Sequence, residues 1–303
     1  FNAAPYYTGP LFETHLLIPA VLPPPQVIKE NIPEGYASLG DEVTIKKIVC
    51  LMDRENVTRS VAFYPYVDFP FVRKPFVDIA KRTLENHQER IIPFLAPVTF
   101  LDPLPAPHIL KKTFDKNIGV YKGYGEIPMY FDSFSHLSPD SPILLESYDV
   151  VEEHGLMVMI HPDHGQINAL ETIFARNPEV TFILHGMNTD APIGYLLSTY
   201  PNVYYSVDSP SLELFFEAKN KEEFMQNIED EFFVSLERAL RVHKPLIEAN
   251  PEKVMWGTDR LRPWHFDEEV GVVLEEYSRA FIGRLSPSVQ KLYAYKNAEK
   301  LFK

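Results

Sequence analysis

The sequence predicts a (β/α)8 TIM barrel, a single domain spanning residues 1–303 with elaborated loops after its strands. Three observations lead there: β-rich runs alternate with helical-period segments along the whole chain, eight strand candidates can be counted, and no Gly-rich turn follows the first. Alternation of this kind marks a parallel sheet with crossover helices. A doubly wound open sheet shares it but usually places a glycine-rich phosphate turn after its first strand. Residues 17–25 are proline-rich instead, with Pro19 and Pro23-Pro24-Pro25.

The predicted strands are Leu11 to Leu17, Ser60 to Tyr64, Ile91 to Pro97, Gly119 to Tyr124, Met157 to His161, Val180 to His185, Val203 to Val207 and Lys253 to Gly257. Helical periodicity falls between them, at Glu42 to Glu55, Phe76 to Asn86, Leu144 to His154, Ala169 to Asn177, Ala191 to Tyr200 and Glu222 to Leu240. Proline and aromatic residues crowd 65–75, 97–107 and 129–142, which follow strands. In a barrel those loops form the catalytic face, so their elaboration predicts a shaped pocket.

With 303 residues, 45% hydrophobic and 23% charged, the chain can bury one large core, and no Gly/Ser-rich linker divides it. A net charge of -13 argues against nucleic acid or an anionic membrane as partner, since phosphate binding needs a basic patch. The expected partner is a small molecule. The lone Cys50 excludes an intramolecular disulfide and, within Ile48-Val49-Cys50-Leu51-Met52, reads as a core residue. No run approaches the roughly 18 apolar residues of a membrane span, so the chain reads as soluble. Because it starts at Phe1 rather than methionine, removal of a leader is compatible with the sequence, and the compartment, cytoplasmic or exported, stays open.

Five predicted strands end in polar groups: Phe12-Glu13-Thr14-His15, Tyr124-Gly125-Glu126, Val158-Met159-Ile160-His161, Phe182-Ile183-Leu184-His185 and Trp256-Gly257-Thr258-Asp259. One histidine closing an apolar strand is ordinarily a buried imidazole bonded to a carbonyl. Three such histidines with an acid on a fourth strand are better explained as ligands of a zinc-like divalent cation. His161 and His185 close consecutive strands, and barrel closure puts the eighth strand beside the first, so His15 and Asp259 become neighbours. Period two places Glu13, His15 and Leu17 on one face of the first strand.

These motifs resemble the amidohydrolase superfamily, in particular amidohydrolase family 2, which contains metal-dependent hydrolases, lactonases and non-oxidative decarboxylases. The similarity runs over nearly the whole chain. Residues 10–19 resemble that family's first strand, Tyr200-Pro201-Asn202-Val203-Tyr204 its approach to the seventh, Trp256-Gly257-Thr258-Asp259 its eighth, and Leu285-Ser286-Pro287 with Asn297-Ala298-Glu299-Lys300-Leu301-Phe302 its closing helix. The resemblance implies His15, His161 and Asp259 as metal ligands, His185 as ligand or carbonyl-polarising group, Asp259 as proton shuttle, and one or two divalent ions, zinc foremost.

The first strand departs from the family's Asp-x-His-x-His, with Glu13 in place of Asp and Leu17 in place of the second His. Two carboxylates are candidates to replace the missing ligand. Glu13 is one, in either of two alignments of the motif. Glu126 is the other, because Tyr124-Gly125-Glu126-Ile127 resembles the Gly-Glu-Ile of TatD-type hydrolases. Lys122 would share the face of Glu126 if the fourth strand ran through both, and an ion pair is then expected rather than a carbamylated bridge.

Three functions fit these residues. The first is hydrolysis of an amide, ester or lactone by metal-activated water, with Asp259 carrying the proton and His185 polarising the carbonyl. The second is decarboxylation of a small aromatic or unsaturated acid, with Arg260 and Arg262 holding the carboxylate. The third, motivated by Leu17, is a metal-free binding protein or scaffold. His164 is a further candidate for substrate contact. Asp190 and Asp208 have structural roles open to them, and Trp256 and Trp264 fit core packing. The long charged helix around Glu222 to Arg241 would cover the barrel mouth or meet another subunit in a homo-oligomer.

Overall fold

The computed structural model describes residues 5–17, 45–66, 73–97, 104–130, 137–186, 192–207, 218–260 and 262–303. The proline-rich loop with Pro19 and Pro23-Pro24-Pro25 lies outside them, as do Asp190 and Asp208.

Within the described residues the order is β1 (Leu11–Leu17), α1 (Ile45–Arg54), β2 (Val57–Tyr66), α2 (Arg73–His87), β3 (Ile91–Pro97), α3 (Pro107–Lys116), β4 (Gly123–Pro128), α4 (Pro142–Glu153), β5 (Met157–His161), α5 (Ile167–Arg176), β6 (Phe182–His185), α6 (Ile193–Thr199), β7 (Val203–Val207), α7 (Lys221–Ala249) and β8 (Val254–Trp256). A 3-10 turn (Pro263–Phe266), α8 (Glu268–Gly283), α9 (Pro287–Lys291), a π turn (Leu292–Lys296) and α10 (Asn297–Leu301) complete the chain. The strands form one sheet in sequence order from β1 to β8. β8 returns to β1: Thr14 Oγ1 donates to the Trp256 carbonyl at 2.6 Å, and Leu16 bridges in parallel to Arg260. Helix-linked parallel strands in this order make the chain a (β/α)8 barrel, as the alternation predicts.

The chain divides into two compact units, Val61–Ser206 and Phe1–Ser60 with Val207–Lys303; the divisions fall inside β2 and β7 rather than in linkers. In the first unit β3 is buried at every position, as befits a parallel strand covered on both faces. β4 pairs with β5 through Tyr124↔Val158 and then Ile127↔Ile160, so three steps on β4 match two on β5. This bulge carries Gly125 and Glu126, and such insertions re-aim a side chain. The predicted fourth strand, Gly119 to Tyr124, is corrected by four residues. Gly119, at φ +79°, lies in the turn that ends α3, and Lys122 is an exposed residue just before the strand. Lys122 therefore does not share a strand face with Glu126.

In the second unit Phe12 stacks on Phe302 at 5.5 Å between ring centres, and Asn297 Nδ2 donates to the carbonyls of Pro251 and Val254, pinning α10 to the entry of β8. Arg279, on α8, reaches the carbonyls of Tyr7, Gly9 and Glu55. Cys50 is exposed, against the sequence expectation. α1 buries Ile48, Leu51 and Met52, and at about 100° per residue position 50 points away from that stripe. α7 runs past the predicted Leu240 to Ala249, through Pro245, after an N-cap in which Asn220 Oδ1 accepts from the Glu223 amide. Among the described residues no helix is long and apolar enough to cross a membrane.

Candidate metal-binding site

In the unit Val61–Ser206, three side chains from consecutive strands converge. Glu126 leaves the bulge of β4, and His161 and His185 close β5 and β6. His161 Nδ1 lies 2.9 Å from Glu126 Oε1, and His185 Nε2 lies 3.8 Å from the same oxygen. The imidazoles meet edge to face, 5.1 Å apart at 86°. One ligand atom from each residue fits within a 4.8 Å span. Two nitrogens and an oxygen around zinc at about 2.0–2.1 Å would be about 3.3 Å apart in tetrahedral geometry, and the two observed separations bracket that value. His185 is almost fully buried, whereas the side chains of His161 and Glu126 keep 19% and 18% of their surface, so the group is reachable from one side.

Two glycines make room for it. Gly186, at φ +66°, sits so close to His161 that a Cβ would overlap the imidazole. Gly125, at φ +128°, passes the Met159 carbonyl too closely for any side chain. The Tyr130 ring lies 4.1 Å from that of His161.

The other unit holds a second acidic and imidazole group. His15 Nδ1 lies 2.6 Å from Asp259 Oδ1, and both residues are buried. Asp259 adopts φ +51°, a left-handed conformation that Asp tolerates better than most residues. Glu13 is committed elsewhere. Its Oε1 accepts from the amides of His15 (2.9 Å) and Thr258 (2.8 Å), and its Oε2 accepts from Thr258 Oγ1 at 2.5 Å. Burial pushes the Glu13 carboxyl up to about 7 even though those donors and Arg260 pull it down. Glu13 thus ties β1 to the residue before Asp259.

Arg260 is buried and makes a two-pronged pair with Glu55, at 3.1 Å from Nη1 and 2.7 Å from Nη2. Burial works against its charge, and Glu55 outweighs burial. Arg262 Nη1 donates to the Ala218 carbonyl at 2.8 Å. These contacts give both arginines structural partners. His164 is exposed in the turn after β5, its amide bonded to Asp163 Oδ1. Trp256 is buried within β8, and Trp264 packs against Phe224 and His265.

The sequence analysis did not single out Glu55, Thr258, Gly186, Tyr130 or His265. Gly186 left a signal, a glycine directly after a strand-closing histidine. Glu55 left none, since its two-pronged partner Arg260 is 205 positions away. His265 is fully buried, and burial, reinforced by Arg262 and Arg260, takes its pKa well below the ordinary 6.5.

A family model described as amidohydrolase matches residues 129–303, more than half of the chain. The chain belongs to the amidohydrolase family. The matched part of this amidohydrolase contains His161, His185 and Asp259, while Glu13, His15 and Glu126 precede it. No curated protein matches the sequence. Among solved structures, an amidohydrolase from Burkholderia multivorans with bound HEPES aligns with TM-score 0.61 at 14% identity, covering 96% of this chain and 98% of that one. A zinc-bound form of that protein gives TM-score 0.57 at 14% identity, with the same coverage. A manganese complex of 5-carboxyvanillate decarboxylase from Novosphingobium aromaticivorans gives 0.54 at 12%, covering 97% and 96%. At such identities the likeness speaks for the fold.

Proposed function

We propose that this amidohydrolase-family chain is a metal-dependent hydrolase that opens an amide, ester or lactone of a small molecule. The observation that carries the reading is the Glu126, His161 and His185 group, whose donor types and spacing suit one divalent cation, zinc foremost. A cation bound there supplies Lewis acidity and acidifies water.

The chain's own residues do the rest. Glu126, aimed by the β4 bulge, brings its Oε1 to 2.9 Å from His161 Nδ1, a contact that a cation taking both atoms as ligands would replace. His185 presents an imidazole from a buried position, suited to donating a hydrogen bond to a carbonyl oxygen as charge develops on it. Asp259, which the eighth-strand motif assigns to proton transfer, takes a proton at a carboxylate oxygen and returns it to the leaving group. Its Oδ1 is oriented by His15. Hydrolysis is favoured over decarboxylation because Arg260, the natural clamp for a substrate carboxylate, is already paired with Glu55.

Elemental analysis after purification without chelators, followed by a screen of esters and lactones in oxygen-18 water, tests the proposal. Stoichiometric metal lost in His161→Ala, with solvent oxygen in the product, is the expected result. Substoichiometric metal after reconstitution would sink the metal assignment. Carbon dioxide release without solvent oxygen uptake would establish the decarboxylase instead.

A further inference from the structure

His161 differs from an ordinary histidine ligand in what holds its ring. A metal-bound imidazole almost always donates its second ring N–H to a carboxylate, a carbonyl or water, and that bond fixes the plane of the ring. Among the described residues the His161 ring has one hydrogen-bond partner, Glu126 Oε1, which faces Nδ1 at 2.9 Å. A cation taking both of those atoms as ligands would replace that bond and leave the ring with none from the described residues. Packing then has to orient it. His185 lies edge to face at 5.1 Å, Gly186 leaves space that a Cβ would fill, and the Tyr130 ring lies at 4.1 Å, inclined by 49°. His185 is itself a candidate ligand and Gly186 has no side chain, so of these three Tyr130 alone can serve purely as a wall.

The backbone registers Tyr130 to the residue it covers. Pro128, the last residue of β4, pairs with His161 in the sheet, and the Met129 amide donates to the His161 carbonyl at 2.8 Å. The Met129 side chain is completely buried, which anchors the turn one residue before Tyr130. Tyr130 itself keeps 43% of its surface exposed. A side chain that open adds little to the core, so substitution there should spare the fold.

We propose that Tyr130 is a positioning residue of the metal group: its ring takes the place of the outer hydrogen bond and holds the His161 imidazole in the plane that aims Nδ1 at the cation. The inference rests on the proposed cation at Glu126, His161 and His185, and Tyr130 acts on it only through His161. A ring already held in place loses less freedom when a metal binds, so the effect falls on metal affinity.

Zinc competition against a chromophoric chelator, read well below the melting point of each metal-free protein, tests it in Tyr130→Ala and Tyr130→Phe. Tyr130→Ala should raise the zinc Kd by about tenfold or more, the range seen when the outer partner of a histidine ligand is removed. Tyr130→Phe keeps the ring and should keep the parent Kd. Because Kd is read on folded protein, a modest loss of stability in either variant does not imitate the effect. An unchanged Kd in Tyr130→Ala, beside zinc lost in His161→Ala, overturns the inference while the metal assignment stands. A loss in Tyr130→Phe equal to that in Tyr130→Ala also overturns it, since the hydroxyl rather than the ring would be responsible. A parent chain that binds no zinc sinks the metal assignment and this inference together.

Discussion

The two units hold their polar groups by different physics. Around β1 and β8, Glu13 is tied by directed bonds to Thr258 and the His15 amide and Glu55 to Arg260, while Asp259 lies against His15 Nδ1 at 2.6 Å. Around β4 to β6, Glu126 and the two histidines are placed by a bulge and by the space two glycines leave, and they keep a partly open side. A network of directed bonds fixes geometry but commits its carboxylates. The framed group is also held by the Glu126–His161 bond, and what distinguishes it is the side on which His161 and Glu126 keep part of their surface.

The largest test strikes the network. Arg260→Met removes the two-pronged partner of buried Glu55, leaves it the partly exposed Arg54 at 3.2 Å, and should cost about 3 kcal/mol in urea melts. A loss near zero would mean that Arg54 or water takes over the Glu55 carboxylate. Next comes Glu13, whose carboxyl is raised from about 4.5 to about 7 in the fold. A raised acid favours folding while protonated, so its contribution is fully present below pH 4.5 and is lost as pH climbs to 7. The stability of the parent relative to Glu13→Gln should fall across that window by up to about 3 kcal/mol. A flat difference would mean that the Thr258 and His15 donors hold Glu13 ionised throughout.

Gly186→Ala probes the framed group. It should cost about 2 kcal/mol, through the positive φ and the overlap with His161, and should weaken zinc binding measured by calorimetry more than it lowers the melting point would suggest. Unaltered zinc affinity would separate His161 from the metal. The smallest effect belongs to neither region: Cys50→Ser, on the exposed side of α1, should change stability by less than about 0.5 kcal/mol.

Much of the barrel was legible in the sequence, because strands covered on both faces are continuous apolar runs and the helices between them keep their period. β1, β3, β5 and β7 have their predicted limits. Of the site candidates, His161, His185 and Glu126 stand at strand ends, where an apolar run broken by one polar residue is a local signal. The errors arose where local pattern was a poor guide. Cys50 sits in an apolar string but on the wrong side of its helix, and β4 was placed early because Gly119 and Lys122 belong to a turn.

By itself, then, the sequence determined the fold class and which strands end in groups able to bind a metal, since both are written in periodicity and in neighbouring residues. The tertiary structure alone decided what each of those groups does with its hydrogen bonds. Glu13 and Arg260 are committed to Thr258 and Glu55, and Glu126 to His161, by partners from 35 to 245 positions away. Partnerships at such separations depend on which strands lie side by side, and no local pattern encodes that.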